Sequence, residues 1–306
     1  MQPLRWSSVL LLLVVSTLPA QTRSVAERLG FPADAKLLIL HADDLGVAHS
    51  VNAASFEALD KGVISSASVM LPTPWISEVA AYARAHPNAD FGIHLTLTSE
   101  WDTYRWGSVE SKDKVASLLD STGTFPSDVP PIATKAKLRE VELEIRAQID
   151  RALAIGIRPT HLDSHMGALF ATPELIATYV KVAHDYRLPF LALRLDPPAA
   201  QMPLSEKDIV LDALIIAGPD VPRDQWKAFY LNAIANLKPG LTEMIVHLGR
   251  DDAELQAVMV NHEPYGSAWR QRDFDVVMSP EFRKALQDNR VTLVTWRDLQ
   301  KLVQQN

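Results

Sequence analysis

The sequence predicts one α/β domain folded as a closed or nearly closed β/α barrel of the TIM-barrel type. Short apolar runs alternate with helical patterns along a chain of 306 residues, and strands that alternate with helices form parallel sheets. About seven or eight such units favour a barrel over an open, doubly wound sheet. No G-x-G-x-x-G motif follows the first predicted strand, which argues against a dinucleotide-binding sheet.

The predicted strands are short apolar segments of the kind that is buried on both faces of a sheet. The first is LLIL at 37–40, which runs into HADD at 41–44. The others are residues 65–71, 91–97, 160–165, 190–195, 214–217, 244–248 and 291–296. Because the carboxyl ends of parallel strands form the active-site face of such folds, polar residues at those ends are the candidates for chemistry.

The predicted helices have recognisable beginnings and ends. A hydroxyl residue precedes a proline at Thr73, Thr172 and Ser279, and proline is favoured at the first helical position. One helix has apolar residues at a spacing of three and four: Leu138, Val141, Ile145, Ile149 and Leu153. Gly156 is placed to end that helix.

Composition limits the functions open to this chain. The net charge is −7 and lysine and arginine are not clustered, whereas nucleic-acid binding needs concentrated positive charge. We therefore expect no nucleic-acid partner. The sequence has no cysteine, which excludes disulfides, thiolate metal sites and cysteine nucleophiles, so a metal site would use histidine and carboxylate.

Residues 1–20 are predicted to be a secretory signal peptide, followed by a single domain over residues 21–306. Arg5 precedes the apolar run VLLLLVV, and Ala20 is a small residue at which cleavage fits. The run is shorter than the roughly 20 residues that a membrane span needs. We expect an exported protein, periplasmic or secreted, without stable membrane insertion. The alternative is an uncleaved N-terminal anchor.

Two adjacent carboxylates, Asp43 and Asp44, come directly after the first predicted strand. Such a pair repels itself unless a cation or a shared proton relieves the repulsion. The alternative is that Asp44 or a neighbouring residue only caps the helix that begins near Ser50.

Three histidines lie on two other predicted strands. Alternation within FGIHLTL at 91–97 separates His94 from the apolar side chains, so His94 should face the barrel interior or its mouth. His161, Asp163 and His165 share one face if that segment is extended. Imidazole binds zinc readily and a neighbouring side chain can orient the ring, so we expect His161 and Asp163 to orient a metal-binding residue. Coincidence or a buried hydrogen-bond network would explain the same pattern.

Two further polar residues occur late in apolar strands. His247 lies in IVHLG at 245–249, and Arg194 lies in LRLD at 193–196. Each alone would be a satisfied core residue more often than not. Together with the preceding groups, they show successive strands each placing a titratable side chain near the carboxyl end, which indicates a site.

Three motifs taken together resemble those of the YdjC-like carbohydrate deacetylases, which include chitooligosaccharide deacetylases: HADDLG at 41–46, FGIHLTL at 91–97 and PTHLDSH at 159–165. Their order matches as well, and the resemblance extends from about Leu37 to the C-terminus. It implies a barrel-like fold related to polysaccharide deacetylases. It also implies hydrolysis of an N-acetyl group from an amino sugar, which would be the substrate.

Carried over by motif position, the resemblance implies that Asp44, His94 and His165 bind the metal and that Asp43 is the general base. Where family members often have further histidines, this chain has Met166 and Gly167. Many members are also cytoplasmic, whereas this chain begins with a predicted export signal. Both departures leave the three ligand positions in place.

The expected reaction is metal-assisted amide hydrolysis. Two imidazoles and one carboxylate leave coordination positions open, as catalytic zinc sites require. Zinc is favoured by the ligand types, with magnesium as an alternative. His247 is the candidate acid for the departing amine, and Arg194 would orient Asp43 or a substrate oxygen.

Two long segments, residues 101–131 and 251–275, are predicted to be loops, and loops of that length are often functional. Trp101 and Trp106 begin the first of them, close to the His94 strand. Their flat faces could stack on sugar rings, or they could simply pack the loop down. Two rival functions remain: a metal-independent glycosidase that uses a carboxylate pair, and a catalytically silent carbohydrate-binding protein.

Overall fold

A computed structural model of the chain describes residues 23–193 and 202–304. The predicted signal peptide and Arg194 lie outside these residues. The described strands are β1 (Lys36–Leu45), β2 (Ser66–Val69), β3 (Phe91–Leu95), β4 (Leu162–Ser164), β5 (Ala213–Ile216), β6 (Gly240–Val246) and β7 (Val291–Leu293). All of their pairings are parallel, as the alternation of strands and helices predicts.

The strand order is β4-β3-β2-β1-β6-β5, and β7 pairs with the beginning of β1. The two ends of this sheet are connected by one short segment. Phe190 forms a bridge with Leu162 of β4, and Leu193 forms another with Leu211, just before β5. The predicted strand at 190–195 is thus reduced to two single bridges within its described part. The sheet is a nearly closed parallel barrel, which confirms the predicted fold class.

The described helices are α1 (Val25–Arg28), α2 (His49–Asp60), α3 (Ile76–Ala85), α4 (Val129–Lys135), α5 (Leu138–Ala154), α6 (Pro173–Tyr186), α7 (Trp226–Ala235), α8 (Ala253–Val258), α9 (Ser267–Val277), α10 (Pro280–Asp288) and α11 (Trp296–Gln304). Thr172 and Ser279 accept hydrogen bonds from backbone N–H groups three residues later, as capping residues do. The prediction for Thr73 is wrong, because its hydroxyl donates to the carbonyl of Met70 and α3 begins only at Ile76.

The segment 251–275, predicted to be a loop, is largely helical. Asp252 caps α8 by accepting a hydrogen bond from the N–H of Leu255. Most of α9 follows, and it carries Arg270 and Asp273 into the interior, where both are buried. This segment therefore covers the carboxyl end of the barrel. Across the two described ranges, no helix has the length and apolar character needed to cross a membrane.

Candidate active site

A cavity of about 540 Å³ opens at the carboxyl ends of the barrel strands. Five of the polar residues singled out in the sequence line it: Asp43, Asp44, His94, His165 and His247. They come from the ends of β1, β3, β4 and β6. The structure thus brings together residues that lie up to about two hundred positions apart in the chain, because parallel strands end at one face.

Asp43 and Asp44 both reach the cavity because β1 is irregular at this point. Successive side chains of a regular strand point to opposite faces. The pairing of β1 with β2 shifts register between Ala42 and Leu45, and Asp44 has a positive φ of 72°. Aspartate tolerates this left-handed conformation better than most residues. The alternative role for Asp44 is excluded, since α2 begins without a side-chain cap.

Asp44, His94 and His165 offer three ligand atoms that all lie within 4.8 Å of one another. Oδ1 of Asp44 is 3.4 Å from Nε2 of His94 and 3.4 Å from Nδ1 of His165. This buried oxygen has no hydrogen-bond partner among the described residues. An unpaired buried carboxylate oxygen is costly, so the three residues fit a cation held between them.

The far nitrogen of each histidine contacts a carboxylate. Nδ1 of His94 lies 2.7 Å from Oδ1 of Asp163, and Nε2 of His165 lies 3.0 Å from Oε2 of Glu100. Carboxylates in these positions fix the orientation and tautomer of metal-binding histidines. Nε2 of His94 and Nδ1 of His165 therefore face the space between these two rings and Asp44. Burial opposes the charge of Asp163, but His94 and His41 lower its pKa below the ordinary range.

Arg270 on α9 holds the other oxygen of Asp44. Its Nη2 donates to Oδ2 of Asp44 over 2.6 Å, and its Nε donates to the carbonyl of Tyr265 over 2.8 Å. Burial alone would raise the pKa of Asp44, but Arg270, with His165 and His94, lowers it well below its usual value. Asp44 is thus ionised at neutral pH.

One carboxylate oxygen of Asp43 contacts buried side chains, and the other is directed to the cavity. Oδ1 lies 3.1 Å from Nε2 of His41 and accepts a hydrogen bond of 3.2 Å from the hydroxyl of Ser68. Oδ2 lies 3.8 Å from Nε2 of His94 and 3.9 Å from Nε2 of His247. The second oxygen is therefore placed to accept a proton from a group in the cavity.

His247 is fixed by residues of the segment that covers the barrel. Its backbone N–H donates to Oδ2 of Asp273 over 2.9 Å, and its ring lies edge-on to Tyr265. Burial lowers the pKa of His247 to about 4, and Arg270 adds to this effect against the attraction of the two aspartates. The imidazole is consequently neutral at neutral pH.

His161 does not join the three candidate ligands. Its ring lies deeper in the barrel, stacked on Trp296 at a centroid distance of 4.9 Å, and a side chain on Gly92 would clash with it. Its Nε2 is 3.9 Å from Asp163. Burial, followed by the charge of His41, lowers the pKa of His161 well below its usual value. The prediction that it orients a metal ligand is corrected to a packing role.

Two other triplets also have ligand atoms within 4.8 Å: His41, His161 and Asp163, and Asp43, His94 and Asp163. Both depend on Asp163, whose oxygens already contact His94 at 2.7 Å and His41 at 3.2 Å. All members of the Asp44 triplet line the cavity, whereas the other two triplets include residues that do not. The Asp44 triplet is therefore the candidate that a substrate can reach.

Trp101 and Trp106 do not offer exposed faces to a sugar. They are 1% and 4% exposed, and they pack edge-on against each other at a centroid distance of 5.4 Å. Nε1 of Trp106 donates to the carbonyl of Thr98 over 2.8 Å. Neither lines the cavity. The expectation of substrate stacking is corrected in favour of packing, because the loop folds back over its own indoles.

Sequence reasoning missed Glu100, Arg270 and His41. His41 had a recognisable signal, since it lies two residues before Asp43 in an apolar strand and so shares its face. Glu100 and Arg270 lie in irregular or weakly patterned segments, where spacing does not predict direction. Arg194, expected to orient Asp43 or a substrate oxygen, lies outside the described residues. Within the described part of the chain, the guanidinium of Arg270 contacts Asp44.

Known proteins are similar to this chain in sequence and in fold. A family model described as YdjC-like protein matches residues 37–288. A carbohydrate deacetylase of Thermus thermophilus is 33% identical over 284 residues, which cover 89% of this chain and 96% of that protein. A chitooligosaccharide deacetylase of Yersinia enterocolitica is 30% identical over 169 residues, 54% of this chain and 62% of that protein. A crystal structure of an Enterococcus faecalis protein superposes with a TM-score of 0.73 at 24% identity, covering 87% of this chain and 99% of that one.

Proposed function

The chain belongs to the YdjC-like protein family, and we propose that it is a metal-dependent carbohydrate deacetylase that removes N-acetyl groups from an amino sugar or its oligosaccharides. The observation that carries this proposal is the unpaired Oδ1 of Asp44 beside His94 and His165. Relatives named carbohydrate deacetylase and chitooligosaccharide deacetylase support the substrate class.

Asp44, His94 and His165 would hold the cation. Two imidazoles and a carboxylate favour zinc, with magnesium as the alternative. A divalent cation in such a site supplies polarisation of the acetyl carbonyl and a bound water of lowered pKa. Arg270 keeps the carboxylate of Asp44 ionised and fixed, while Asp163 and Glu100 keep the two rings oriented.

Asp43 is the proton acceptor in this proposal. Its Oδ2 faces the cavity, while His41 and Ser68 hold Oδ1 and so prevent the carboxylate from rotating away. General-base catalysis needs an acceptor within reach of the water that loses its proton. Oδ2 of Asp43 is 3.8 Å from Nε2 of the proposed ligand His94, so it would be within reach of a water on a cation held there.

His247 delivers a proton to the departing amine. Because its pKa is lowered to about 4, the ring begins the reaction neutral and has to gain a proton before it can give one. Nε2 of His247 is 3.9 Å from Oδ2 of Asp43, so the proton that Asp43 takes has a short route to this ring. His247 then passes this proton to the amine, so one residue accepts the proton from water and another protonates the amine.

Acetate release tests this function directly. The purified protein, loaded with zinc or magnesium, should release acetate from N-acetylglucosamine or chitooligosaccharides, and a chelator should abolish the activity. Cleavage of glycosidic bonds without acetate, insensitive to the chelator, would instead identify a glycosidase. Sugar binding without any product would identify a binding protein.

We also propose that residues 1–20 direct export. N-terminal sequencing of the protein from periplasmic or culture fractions should find a chain beginning near residue 21. A chain in the cytosol that still begins at Met1 would contradict this.

A further inference from the structure

The cavity has two halves of different chemistry. One half is formed by the aspartates, histidines and Arg270 described above. The other half is apolar and is lined by Phe170, Leu191, Leu193, Leu214, Ile216 and Ile245. Proposed ligands and an extended hydrocarbon surface thus share one cavity.

The register of the barrel places the apolar half beside His247. Ile245 and His247 are two residues apart and both line the cavity, so their side chains are separated by roughly 6.6 Å along the strand direction. On the neighbouring strand β5, Ile216 pairs with Ile245 and Leu214 with Glu243. The apolar surface therefore begins next to the proposed proton donor and continues across β5.

This surface suits hydrocarbon better than sugar. A hydroxyl placed against leucine and isoleucine gives up its water without gaining a hydrogen-bond partner, which is unfavourable. An acetyl group offers one methyl, far less than six apolar side chains can cover. Ile216 also remains 39% exposed at the cavity edge, so a bound apolar group would remove it from water, which is favourable.

We propose that the substrate carries a hydrocarbon group longer than a methyl on its amino sugar, and that this group lies against the apolar half of the cavity. The inference rests on the proposed hydrolysis of an amino-sugar amide by this site and extends it from acetyl to longer groups. The group has two possible points of attachment: the N-acyl chain itself or an apolar substituent at the anomeric carbon. In either case hydrolysis breaks the amide C–N bond, joins the water oxygen to the acyl carbon, and releases a carboxylate and the protonated amine, whose added protons come from the water.

Two substrate series separate these attachments. The first is methyl glucosaminide with N-acetyl, N-butanoyl, N-hexanoyl and N-octanoyl groups, all assayed by the common free-amine product. The second is N-acetylglucosamine as its methyl and octyl glycosides. We expect kcat/KM to rise in one series by about fourfold for each methylene that becomes buried. The series that rises identifies the attachment.

A paired variant locates the effect in the cavity. Ile216→Ser should lower the ratio of long-chain to acetyl kcat/KM by about tenfold, chiefly through KM, because it places a hydroxyl in the apolar surface. Leu138→Ser is the control, since Leu138 is 41% exposed on α5 away from the cavity. The control should keep the wild-type ratio.

The outcomes distinguish this inference from the function on which it rests. Acetyl substrates that are hydrolysed while kcat/KM falls with length in both series would overturn the inference alone. An unchanged ratio in Ile216→Ser would also overturn it. Absence of amine release from every substrate, the acetyl substrates included, would overturn the deacetylase proposal and this inference together.

Discussion

The guanidinium of Arg270 and the carboxylate of Asp44 form a buried ion pair in which Nη2 lies 2.6 Å from Oδ2. The other oxygen, Oδ1, faces His94 and His165 at 3.4 Å each. One oxygen is thus occupied by the protein's own cation and the other is available to a metal. The pair couples α9, which covers the barrel, to the end of β1.

Arg270→Lys is expected to weaken metal binding without unfolding the protein. A lysine keeps the charge, but its single ammonium lacks the planar fork that serves both Asp44 and the carbonyl of Tyr265. Loss of groups that orient a metal ligand typically costs about 10–100-fold in affinity. Chelator competition measures this effect. Arg283→Lys, at an exposed position on α10, is the control, and equal metal affinity in both variants would show that the ion pair does not position Asp44.

Neutralising each of the two adjacent aspartates should have a different effect, one on metal content and the other on turnover. Asp44→Asn removes the charge from a three-ligand site and should sharply lower metal content. Asp43→Asn keeps all three ligands, so the metal should stay while turnover falls by about 100-fold or more. Elemental analysis beside acetate release distinguishes them. Metal loss in Asp43→Asn, with metal and activity kept in Asp44→Asn, would reverse the assigned roles.

Trp106→Ala should act on stability. Because the indole is buried, packed against Trp101 and hydrogen-bonded to Thr98, its removal should lower the free energy of unfolding by about 3–5 kcal/mol. Trp75→Ala is the matched control, since Trp75 is 40% exposed, and it should cost far less. Urea unfolding measures both. A raised KM with unchanged stability in Trp106→Ala would restore the sugar-stacking interpretation.

Much of the fold and part of the site could be predicted because both follow from regular patterns. The alternation of strands and helices indicates a parallel barrel, and the carboxyl ends of parallel strands meet at one face. The sequence alone therefore predicts that Asp43, His94 and His165 lie near one another. Alternation also predicted correctly that His94 would face the interior.

The remaining features depend on contacts that spacing does not encode. Arg270 reaches Asp44 across 226 positions of the chain from a segment without clear periodicity. The register shift that directs both aspartates into the cavity cannot be predicted from the sequence HADD at 41–44. Trp106 is buried because its own loop folds over it. The sequence of a long loop does not indicate whether an aromatic side chain in it is exposed or buried.

Glu243 on β6 is buried and accepts a 2.9 Å hydrogen bond from Nε1 of Trp296. Burial raises the pKa of Glu243 from 4.5 to about 7, against the opposing attraction of His41. The folded protein thus binds more protons than the unfolded chain between these values, so this contribution to stability is complete below pH 4.5 and is lost as the pH rises through 7.

Glu243→Gln keeps an acceptor for Trp296 but cannot ionise. The stability of this variant relative to the wild type should therefore improve by about 1–3 kcal/mol between pH 5 and pH 8. Urea unfolding of both proteins at several pH values measures the difference. Glu206→Gln, at an exposed position, should show no such trend. A difference between Glu243→Gln and the wild type that stays constant with pH would mean that Glu243 keeps the same protonation state in the folded protein across this range.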